Sequence, residues 1–365
     1  MIAPLSVALM NPWYWPEVRR GSERTLHDLA AELSDLGHRP RVLIAHDGPP
    51  RRTREDGAEV LRLPRPPDTL LRRRNVQPGS THVPLSYAAL RLTRPDVAHA
   101  FYPTDATAAV RWAERTGGVS VFSFMGVPTP EALSNYRGRL RALECATGRT
   151  DAVVALSTGA RDALHRWFGV EAEVISPGVD TDAFRPGPGR AAEPTIACAA
   201  DVTEPRKRVG LLVRAFARVR QERPTARLLL DAPADPAARA PFEAPGVVWR
   251  ERGPDGMAPM FREAWASGLT SYAEAFGLVL VESLACGTPV FGAQEGGVPE
   301  IVDRPEIGAL FSGEDEQDVA RAMLSALELA EDPATATACR ARAEDFTARR
   351  AAQAHVALYE RLLAR

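Results

Sequence analysis

The sequence predicts an α/β protein made of two successive doubly wound halves. Short apolar runs alternate with segments in which Leu and Ala recur at helical spacing, and strand–helix–strand units of this kind form parallel sheets. A stretch dense in proline and glycine, residues 185–194, interrupts this alternation, and a second alternating series follows it. The length of 365 residues suits two domains of ordinary size. We therefore expect two domains joined by a hinge near residue 190.

The first half begins with a strand, a loop, a helix and a second strand. The apolar run Ser6–Met10 predicts the first strand, and a loop rich in Pro and Trp, residues 11–16, follows it. Gly21 then opens a helix with Ser22 as its N-cap, and apolar residues recur at helical spacing until Gly37 ends it. Further strands are predicted at 41–45, 97–101, 119–122 and 152–155.

The second half repeats this pattern after the break. Its strands are predicted at 195–199, 226–230, 246–249, 266–270 and 289–292, with a helix at 209–220 and a helical end over 333–365. In doubly wound sheets, ligands bind beyond the carboxyl ends of the strands. The expected ligand site is therefore a cleft between the two halves.

Composition excludes several classes of protein. Apolar residues are 45% and charged residues 25%, which argues against a disordered or fibrous chain. A net charge of −2 gives no electrostatic reason to expect a nucleic-acid partner. The cysteines at 145, 198, 286 and 339 lack C-x-x-C spacing, which argues against a zinc site and fits a reducing compartment. The start lacks the basic flank of a signal peptide, and no apolar run reaches the roughly 20 residues of a spanning helix, so we expect a cytoplasmic protein.

The most informative segment, residues 274–290, places one acid on either side of a helix start. An apolar run after Gly277 predicts a helix over 278–286, with Glu274 just before it and Glu282 on its second turn. Their backbones are then about 10 Å apart at ~1.5 Å per helical residue. That separation suits a long ligand with hydroxyls at both ends, and the helix N-terminus between the acids suits a diphosphate. A sugar-diphosphate-ribose has this layout.

A purely structural interpretation makes Glu282 a partly exposed helix residue and Glu274 a loop acid. The neighbours of Glu282 on the helix are apolar, however, and a buried carboxylate needs a partner. Ligand hydroxyls would supply one. Lys207 is a second unusual feature, because it is the only lysine among 45 Lys and Arg residues. It places a point charge between Arg206 and Arg208, for which a solvated basic turn is the structural alternative.

The segment E-A-F-G-L-V-L-V-E, residues 274–282, resembles the E-x7-E signature of retaining glycosyltransferases with the GT-B fold, in the glycogen-synthase-like and mannosyltransferase-like group called family 4. Further stretches resemble other marks of that family in the same order. These are G-S-E at 21–23, G-H at 37–38, D-V-A-H at 96–99, S-P-G-V-D-T-D-A-F-R-P at 176–186, Lys207 with the apolar residues at 211, 212, 215 and 216, and G-G-V-P-E-I-V at 296–302.

This resemblance implies a GT-B architecture, in which two Rossmann-like domains face a central cleft and the C-terminal helix crosses back to the N-terminal domain. The N-terminal, acceptor-binding domain would comprise residues 1–185 with the helix at about 348–365. The C-terminal domain, residues 186–347, would bind the donor. The implied activity is metal-independent, retaining transfer of a hexose-type sugar from a nucleotide-diphosphate donor to an acceptor hydroxyl, with no cofactor. The acceptor would be a small molecule, a lipid-linked compound or a glycan.

The resemblance also implies roles for residues around the helix entry. Glu274 would meet the hydroxyls of the transferred sugar and Glu282 those of the ribose, while Lys207 would neutralise the leaving diphosphate. The backbone of Phe276, Gly277 and Leu278 would line the sugar and phosphates. The family carries an Arg a few residues before the lysine, where this chain has Val202, so Arg206 or Arg208 would substitute. Gly21 and Ser22 complete the expected donor contacts.

On the acceptor side the sequence departs from the family pattern. The family often has His-Gly after the 119–122 strand, and this chain has Met125 and Gly126, so that position cannot act as a base. The nearest alternatives are His99 and Asp105, and retaining transfer in this family is thought to use the leaving phosphate as the base. Met125, Gly126, Trp13 and Tyr14 are the expected acceptor contacts.

Several signals support other interpretations. Asp180 and Asp182 form a D-x-D, which binds a metal in a different transferase fold, but here they fall in the hinge match. Basic stretches at 51–54 and 70–74 would meet an anionic acceptor or lipid, or lie in solvated loops, and an amphipathic helix within 340–365 leaves peripheral contact with the inner face of the membrane as an alternative. Two other functions stay open: a nucleotide-sugar epimerase of GT-B fold, and a catalytically silent nucleotide-sugar-binding protein.

Overall fold

The computed structural model describes residues 3–65, 73–251 and 256–365. Its contacts divide the chain into two compact units, which we call unit 1 and unit 2. Unit 1 comprises Met1–Gly178 with Ala348–Arg365, and unit 2 comprises Val179–Thr347. Each unit is a mostly or wholly parallel sheet with helices between successive strands, which confirms the predicted α/β class with two Rossmann-like domains.

Unit 1 contains an eight-stranded sheet. Its strands are β1 (Ser6–Met10), β2 (Arg39–His46), β3 (Arg51–Glu55), β4 (Ala58–Pro64), β5 (Val97–Ala100), β6 (Val119–Phe124), β7 (Ala152–Ala155) and β8 (Glu173–Val174). Their order in the sheet is β3-β4-β2-β1-β5-β6-β7-β8, and β3 alone among these described strands runs antiparallel to its neighbour. The helices before the second unit are α1 (Gly21–Asp35), α2 (Val83–Thr93), α3 (Pro103–Thr116), α4 (Pro130–Ser134), α5 (Arg139–Arg149) and α6 (Thr158–Phe168).

Alternate residues of the unit 1 strands supply two separate cores. Ala8 and Met10 belong to one apolar cluster, whereas Val7 and Leu9 belong to the other. This is the period of two expected for a sheet covered on both faces. The C-terminal helix Ala348–Leu363 contributes Leu358 to the second cluster, which confirms that the end of the chain returns to the N-terminal domain.

Unit 2 contains a six-stranded parallel sheet. Its strands are β9 (Thr195–Cys198), β10 (Arg227–Asp231), β11 (Val247–Arg250), β12 (Ala266–Leu269), β13 (Val290–Ala293) and β14 (Gly308–Phe311). The order β11-β10-β9-β12-β13-β14 is the Rossmann order, in which the chain switches direction between β9 and β12. The helices are α7 (Val209–Glu222), α8 (Ala258–Glu263), α9 (Leu278–Ala285), α10 (Val298–Ile301), α11 (Glu316–Leu329) and α12 (Pro333–Ala343), and α13 (Ala348–Leu363) is the helix that completes unit 1.

The division between the units lies seven residues before the predicted boundary at 185. The N–H of Val179 donates to the carbonyl oxygen of Phe346 at 2.9 Å. The guanidinium of Arg262 donates to the carbonyl oxygens of Arg185 at 2.8 Å and Ala183 at 3.2 Å. Residues 179–185 are therefore tied to unit 2 by backbone acceptors that no sequence pattern reveals.

The Pro- and Gly-rich stretch that we predicted to be a hinge is also packed on unit 2. The indole Nε1 of Trp265 donates to the carbonyl oxygen of Ala191 at 2.8 Å. The guanidinium of Arg190 stacks over the same indole, 4.2 Å from the ring centroid. The composition correctly excludes helix and strand here, but the segment follows the surface of unit 2 and does not mark its boundary.

Two local predictions in unit 1 need correction. The basic stretch 51–54, interpreted as a loop, is strand β3, and Asp56 and Gly57 with positive φ join it to β4. The signal for this hairpin is the Asp-Gly dipeptide, which favours a two-residue turn. Ser22 does not cap α1, because its hydroxyl donates to the Glu23 carboxylate at 2.7 Å and the cap position is Arg20. Of the second basic stretch, 70–72 lie outside the described residues.

Candidate active site

The candidate site in unit 2 lies where three neighbouring strands end. The loop after β9 leads through a 3-10 turn, Pro205–Lys207, into α7. The loop after β12 carries Glu274 and leads into α9, and the loop after β13 carries Gly296 and Gly297. The carboxyl ends of parallel strands meet at one edge of the sheet, which is where such sheets bind ligands.

Lys207 and Glu274 form an ion pair at this edge. The Lys207 Nζ donates to Oε2 of Glu274 at 2.9 Å, and a guanidinium N–H of Arg206 reaches the same oxygen at 3.4 Å. The side chains of the pair are only 17% and 13% exposed. The backbone joins the two loops as well, because the Thr270 hydroxyl donates to the carbonyl oxygen of Lys207 and the N–H of Tyr272 to that of Arg206. The structure thus brings together three residues predicted to be catalytic.

The electrostatics keep this carboxylate ionised. Burial alone would raise the pKa of the Glu274 carboxyl, but attraction to Lys207 and Arg206 outweighs it and holds the pKa below its ordinary value. Burial would likewise lower the pKa of Arg206, and attraction to Glu274 and Glu204 raises it. An ionised carboxylate only accepts hydrogen bonds, so Glu274 is suited to ligand hydroxyls. The adjacent cations are suited to an anion.

The turn into α9 is a helix entry that begins with a glycine of positive φ. Gly277 adopts φ +109°, a conformation open to glycine because it has no Cβ. Phe276 is buried and its ring packs against that of Phe346, with centroids 5.4 Å apart, and Leu278 begins the helix. The first N–H groups of a helix have no partner within it and favour negative charge. The predicted Phe276, Gly277 and Leu278 segment therefore stands beside Lys207 as a second source of positive potential.

Glu282 lies on the second turn of α9 and is 4% exposed. Its neighbours Leu280, Val281 and Leu284 are fully buried. The helix is thus apolar around an acid, as its sequence indicates, and the interpretation of Glu282 as a partly exposed helix residue is wrong because the side chain is buried. Its predicted contact with a ribose stays a prediction.

Arg208 is predicted to bind the donor. In the structure its guanidinium is hydrogen-bonded to protein oxygens. Its Nε donates to the carbonyl oxygen of Thr270 at 2.7 Å, and its two terminal nitrogens contact Glu314 at 2.9 Å and Glu295 at 3.0 Å. The ring of Tyr272 lies 5.5 Å from its Cζ. Arg208 therefore ties together the ends of β12, β13 and β14.

Close packing of the 294–297 loop fixes the position of Glu274. The N–H of Gly297 donates to the Glu274 carbonyl oxygen at 2.9 Å, and a Cβ at Gly296 would lie 2.1 Å from that oxygen. Gly296→Ala should therefore lower the stability of unit 2 by more than Gly313→Ala does. Gly313 has a similar φ of +71°, but a Cβ added there would meet no atom within 4 Å. The Gly313→Ala variant therefore reports backbone strain alone, about 1–2 kcal/mol.

Thermal unfolding of both variants checks this prediction. For a unit of this size, 1 kcal/mol corresponds to about 2–4 °C in Tm. We expect the Gly296→Ala protein to melt at least ~4 °C below the Gly313→Ala protein, because the backbone must move to relieve the collision. Equal melting temperatures would show that the loop can retreat from Glu274 at little cost.

The acceptor-side residues predicted in unit 1 fall into two groups. Trp13 is half-buried and meets Tyr102 edge-on, with centroids 4.9 Å apart, and Met125 is half-buried at the end of β6 with Gly126 after it. Tyr14 was expected to contact the acceptor, but it is 2% exposed and belongs to the apolar core, where burial raises the pKa of its hydroxyl. Its ring packs beside that of His27 in α1, so Tyr14 holds the loop at residues 11–16 against this helix.

The helix α1 begins at Gly21, which is exposed, and Ser22 is half-buried in its first turn. The predicted donor contacts of both residues stay predictions. No charged side chain of the described residues is hydrogen-bonded to Ser22 apart from Glu23.

His99 has a structural role and is not placed as a base. It is fully buried, its Nδ1 lies 2.6 Å from the Tyr359 hydroxyl and its Nε2 lies 2.8 Å from the Ser123 hydroxyl. Burial and the nearby His355 hold the pKa of the imidazole well below its ordinary value. His99 thus joins β5, β6 and α13. Asp105, the other alternative, is also fully buried, and its carboxylate contacts His82 and Ser86.

The buried histidines predict how unit 1 responds to acid. Burial lowers the pKa of His355 to about 4. The folded protein therefore stays neutral at this site while the unfolded chain, with a pKa near 6.5, takes up a proton. The contribution of His355 to the free energy of unfolding is therefore highest above pH 6.5. It decreases by about 1.4 kcal/mol per pH unit as the pH falls towards 4.

His355→Leu should remove this dependence. Urea unfolding of the variant and the wild type between pH 7.5 and 5 should give free energies that differ by a constant above pH 6.5. Below pH 6.5 the difference should shift in favour of the variant by about 1.4 kcal/mol per pH unit. Parallel curves over the whole range would contradict the buried neutral imidazole.

A set of polar side chains around Tyr102 was not predicted from the sequence. The amide Nε2 of Gln77 donates to the Tyr102 hydroxyl at 2.6 Å. Gly79 lies so close to Pro12 and Thr104 that a Cβ there would approach them within 2.9 and 3.1 Å. Within the described residues, the buried Oε1 of Gln77 and Oγ1 of Thr104 have no hydrogen-bond partner. The segment 75–82 has no periodicity, so only its fold reveals these residues.

Asp180 and Asp182 do not form a metal site in the described part of the chain. The Asp180 carboxylate accepts the N–H groups of Asp182 and Ala183 at 2.9 and 3.0 Å, which is a local turn. No group of three or more His, Cys, Asp or Glu side chains arranged for a metal occurs within residues 3–65, 73–251 and 256–365.

Over the same ranges, the helices are all too short or too polar to cross a bilayer.

Two family models match the chain. The model described as Glycosyltransferase Family 4 matches residues 19–183, and the model described as Glycosyl transferases group 1 matches residues 193–329. The first falls almost entirely in unit 1 and the second in unit 2. Together they cover the strands of both sheets apart from β1, and they include the Lys207–Glu274 pair.

Among curated proteins, the chain is similar to enzymes named D-inositol 3-phosphate glycosyltransferase. The one from Rhodococcus opacus (strain B4) is 29% identical over 259 residues, which cover 64% of this chain and 56% of the relative. The one from Streptomyces avermitilis is 32% identical over 234 residues, which cover 56% of this chain and 49% of the relative. The chain thus spans about half the length of the curated relatives it matches.

Solved structures share the fold over nearly the whole chain. Sucrose-phosphate synthase (tll1590) from Thermosynechococcus elongatus has a TM-score of 0.81 at 20% identity and covers 98% of this chain and 99% of its own. Anabaena Alr3699/HepE in complex with UDP and glucose has a TM-score of 0.76 at 20% identity, with the same coverage. These likenesses show the fold, and the family models extend it to a family assignment: the protein belongs to the family-4-like glycosyltransferases of GT-B fold.

Proposed function

We propose that the protein transfers a hexose from a nucleotide-diphosphate sugar to an acceptor hydroxyl, with retention of configuration and without a metal. The observation that carries this proposal is the buried Lys207–Glu274 pair beside the entry of α9. It sets an ionised carboxylate next to a cation and a helix N-terminus. A donor needs these three groups for its sugar hydroxyls, its leaving phosphate and its diphosphate respectively.

In the proposed reaction the bond between the sugar C1 and the β-phosphate oxygen breaks, and the acceptor oxygen bonds to C1 on the same face. The proton of the acceptor hydroxyl passes to the released phosphate oxygen, so no side chain has to act as base. Lys207 and Arg206 turn from Glu274 towards the diphosphate as negative charge develops there. Fixed charges of this kind are commonly the largest catalytic contribution.

Similarity supports the donor class. The HepE structure contains UDP and glucose, and the trehalose-6-phosphate structure from E. coli contains UDP-2-fluoro glucose. Both share the fold of this chain. We propose a UDP-sugar as the first donor to test. GDP-, ADP- and TDP-sugars remain alternative donors in the same assay.

We propose that unit 1 binds the acceptor near Trp13, Tyr102 and Met125. An aromatic ring offers a stacking face for a sugar or polyol, and the buried oxygens of Gln77 and Thr104 lack partners among the described residues. Buried polar atoms of this kind are costly unless a ligand or water satisfies them. The curated relatives are named for a phosphorylated inositol acceptor, so a polyol is the acceptor class that we propose.

The test has two stages. Thermal shift with UDP, GDP, ADP and TDP, each with and without EDTA, should show stabilisation by one nucleotide that EDTA does not remove. Transfer from the matching sugar donor to a panel of polyols and glycans should then give a product whose anomeric configuration, read by NMR, is that of the donor. Donor conversion without an acceptor would instead indicate an epimerase. Nucleotide binding without any turnover would indicate a silent binding protein.

A further inference from the structure

Arg208 stands at an unusual backbone position for its residue type. It has φ +49° and ψ +37° and separates the 3-10 turn that carries Lys207 from helix α7. A side chain in this left-handed region costs about 1–2 kcal/mol. A strained residue persists when surrounding contacts determine it, so the contacts of Arg208 should explain its presence.

Those contacts reach every loop that builds the proposed donor site. One guanidinium contacts the Thr270 carbonyl oxygen, the Glu295 carboxylate and the Glu314 carboxylate, which follow β12, β13 and β14 respectively. The carbonyl oxygen of Arg208 accepts the Thr270 hydroxyl at 3.0 Å, and the Lys207 carbonyl accepts the same hydroxyl. The side chain is only 14% exposed, although its two acid partners are 47% and 72% exposed.

The 294–297 loop transmits this restraint to Glu274. Glu295 is held by Arg208, and two residues later the Gly297 N–H donates to the Glu274 carbonyl oxygen. The spacing around that oxygen leaves no room for a Cβ at Gly296. A shift of Glu295 would therefore move the backbone of Glu274 as well.

We infer that Arg208 is a positioning residue, which fixes Lys207 and Glu274 relative to each other by clamping the loops after β12, β13 and β14. The inference rests on the proposed function for its kinetic readout and on geometry for the rest. Arg208 acts through these loops and does not touch the donor. Its planar fork of donors is required, because the three donors of a lysine share one nitrogen and cannot span acceptors that Nε and the two terminal nitrogens of Arg208 reach separately.

Four variants test this inference. Arg208→Gly removes the clamp and relieves the backbone strain, Arg208→Lys keeps the charge, and Glu295→Ala removes one anchor. Arg214→Ala is the matched control, since Arg214 lies on α7, the helix that follows Arg208, and pairs with Glu316. We expect the first three to lower kcat/KM for the donor by about 10- to 100-fold, the scale of a ~1 Å misplacement. The control should equal the wild type.

Glu295→Ala separates positioning from direct contact. If Arg208 positions the loops, this variant lowers kcat/KM as Arg208→Gly does. If Arg208 binds the donor phosphates itself, loss of Glu295 leaves the guanidinium freer, so donor KM stays the same or falls, and the inference is wrong. Tm and nucleotide-binding stoichiometry distinguish positioning of the loops from a general loss of folded, active protein. Losses that disappear once the active fraction is corrected would also reject the inference.

Hydrogen exchange gives a readout that needs no turnover. The Gly297 amide, bonded to Glu274, should lose protection in Arg208→Gly and Glu295→Ala and keep it in Arg214→Ala. Unchanged protection would overturn the clamp even if the enzyme is active. Conversely, a wild type that never transfers sugar while this amide responds as expected would reject the proposed function and leave the clamp standing.

Discussion

Glu274→Gln is expected to lower the rate of sugar transfer by about 10²–10³-fold, the loss found when one preorganised electrostatic contact is removed. The amide keeps the size of the side chain but not its charge. It therefore weakens the hydrogen bonds to donor hydroxyls and releases Lys207 and Arg206 from their shared oxygen. Steady-state kinetics with the donor identified by thermal shift measures the effect. Glu204→Gln is the matched control, because Glu204 pairs with the same Arg206 at 2.9 Å but is 45% exposed.

The pH profile adds a second check on Glu274. The pKa of its carboxyl lies below the ordinary value, so it is ionised throughout the neutral and mildly acidic range. Transfer by the wild type should therefore show no loss attributable to this group between pH 8 and 6. The carboxyl also stabilises the folded state above its unfolded pKa, and this contribution is lost as the pH falls through the folded value. Full activity of the Glu274→Gln variant would show that Glu274 is not part of the active site.

The sequence predicted the positions of most buried strands because the signals involved are local, whereas it gave no indication of β3, β4, β8 and β14. Strands β1 and β7 were predicted at their observed bounds, and α9 within one residue at its end. Buried parallel strands are short and apolar, and glycine marks where the helices start and stop. The Lys207–Glu274 pair was also predicted as two parts of one site. Its 2.9 Å contact across 67 positions of sequence depends on two strand ends that the Rossmann order makes neighbours.

The errors share a different cause, which is tertiary burial. Nothing near Tyr14 in the chain indicates that its side chain joins the core. Nothing near His99 indicates that both of its ring nitrogens are hydrogen-bonded to other side chains. The same applies to the domain boundary, which Arg262 sets by contacting carbonyl oxygens 77 and 79 positions away. A residue's chemistry can be read from its type, but its availability depends on side chains that meet only in the fold.

Arg208 illustrates both what residue type predicts and what only the fold reveals. Its charge and its position next to Lys207 predicted a place in the candidate site, and its guanidinium lies at the edge of the unit 2 sheet where β12, β13 and β14 end. The number of its protein contacts, however, depends on acids 87 and 106 positions later in the chain. These acids occupy the guanidinium in the described structure. The sequence located the residue beside Lys207, and the fold adds the contacts with Thr270, Glu295 and Glu314 from which we infer that it positions the loops.

Lys207→Ala is expected to lower kcat/KM for the donor by about 10²–10³-fold, because the developing charge of the leaving diphosphate loses its nearest cation. Lys207→Arg should recover part of the rate, since it keeps the charge but replaces a compact ammonium by a planar fork. Arg218→Ala, an exposed cation on the following helix, is the control. Kinetics with the same donor measures all three, and wild-type activity in Lys207→Ala would assign the leaving-group role elsewhere.

A double-mutant cycle then decides whether Lys207 and Glu274 act as one unit. Each single change leaves the other group buried beside Arg206 without its 2.9 Å partner, so the singles carry a penalty that the double variant does not. We therefore expect Lys207→Ala with Glu274→Gln to lose less than the product of the two single losses. Multiplicative losses would mean that the pair is broken before the donor reacts, and that the two residues contact the diphosphate and the sugar independently.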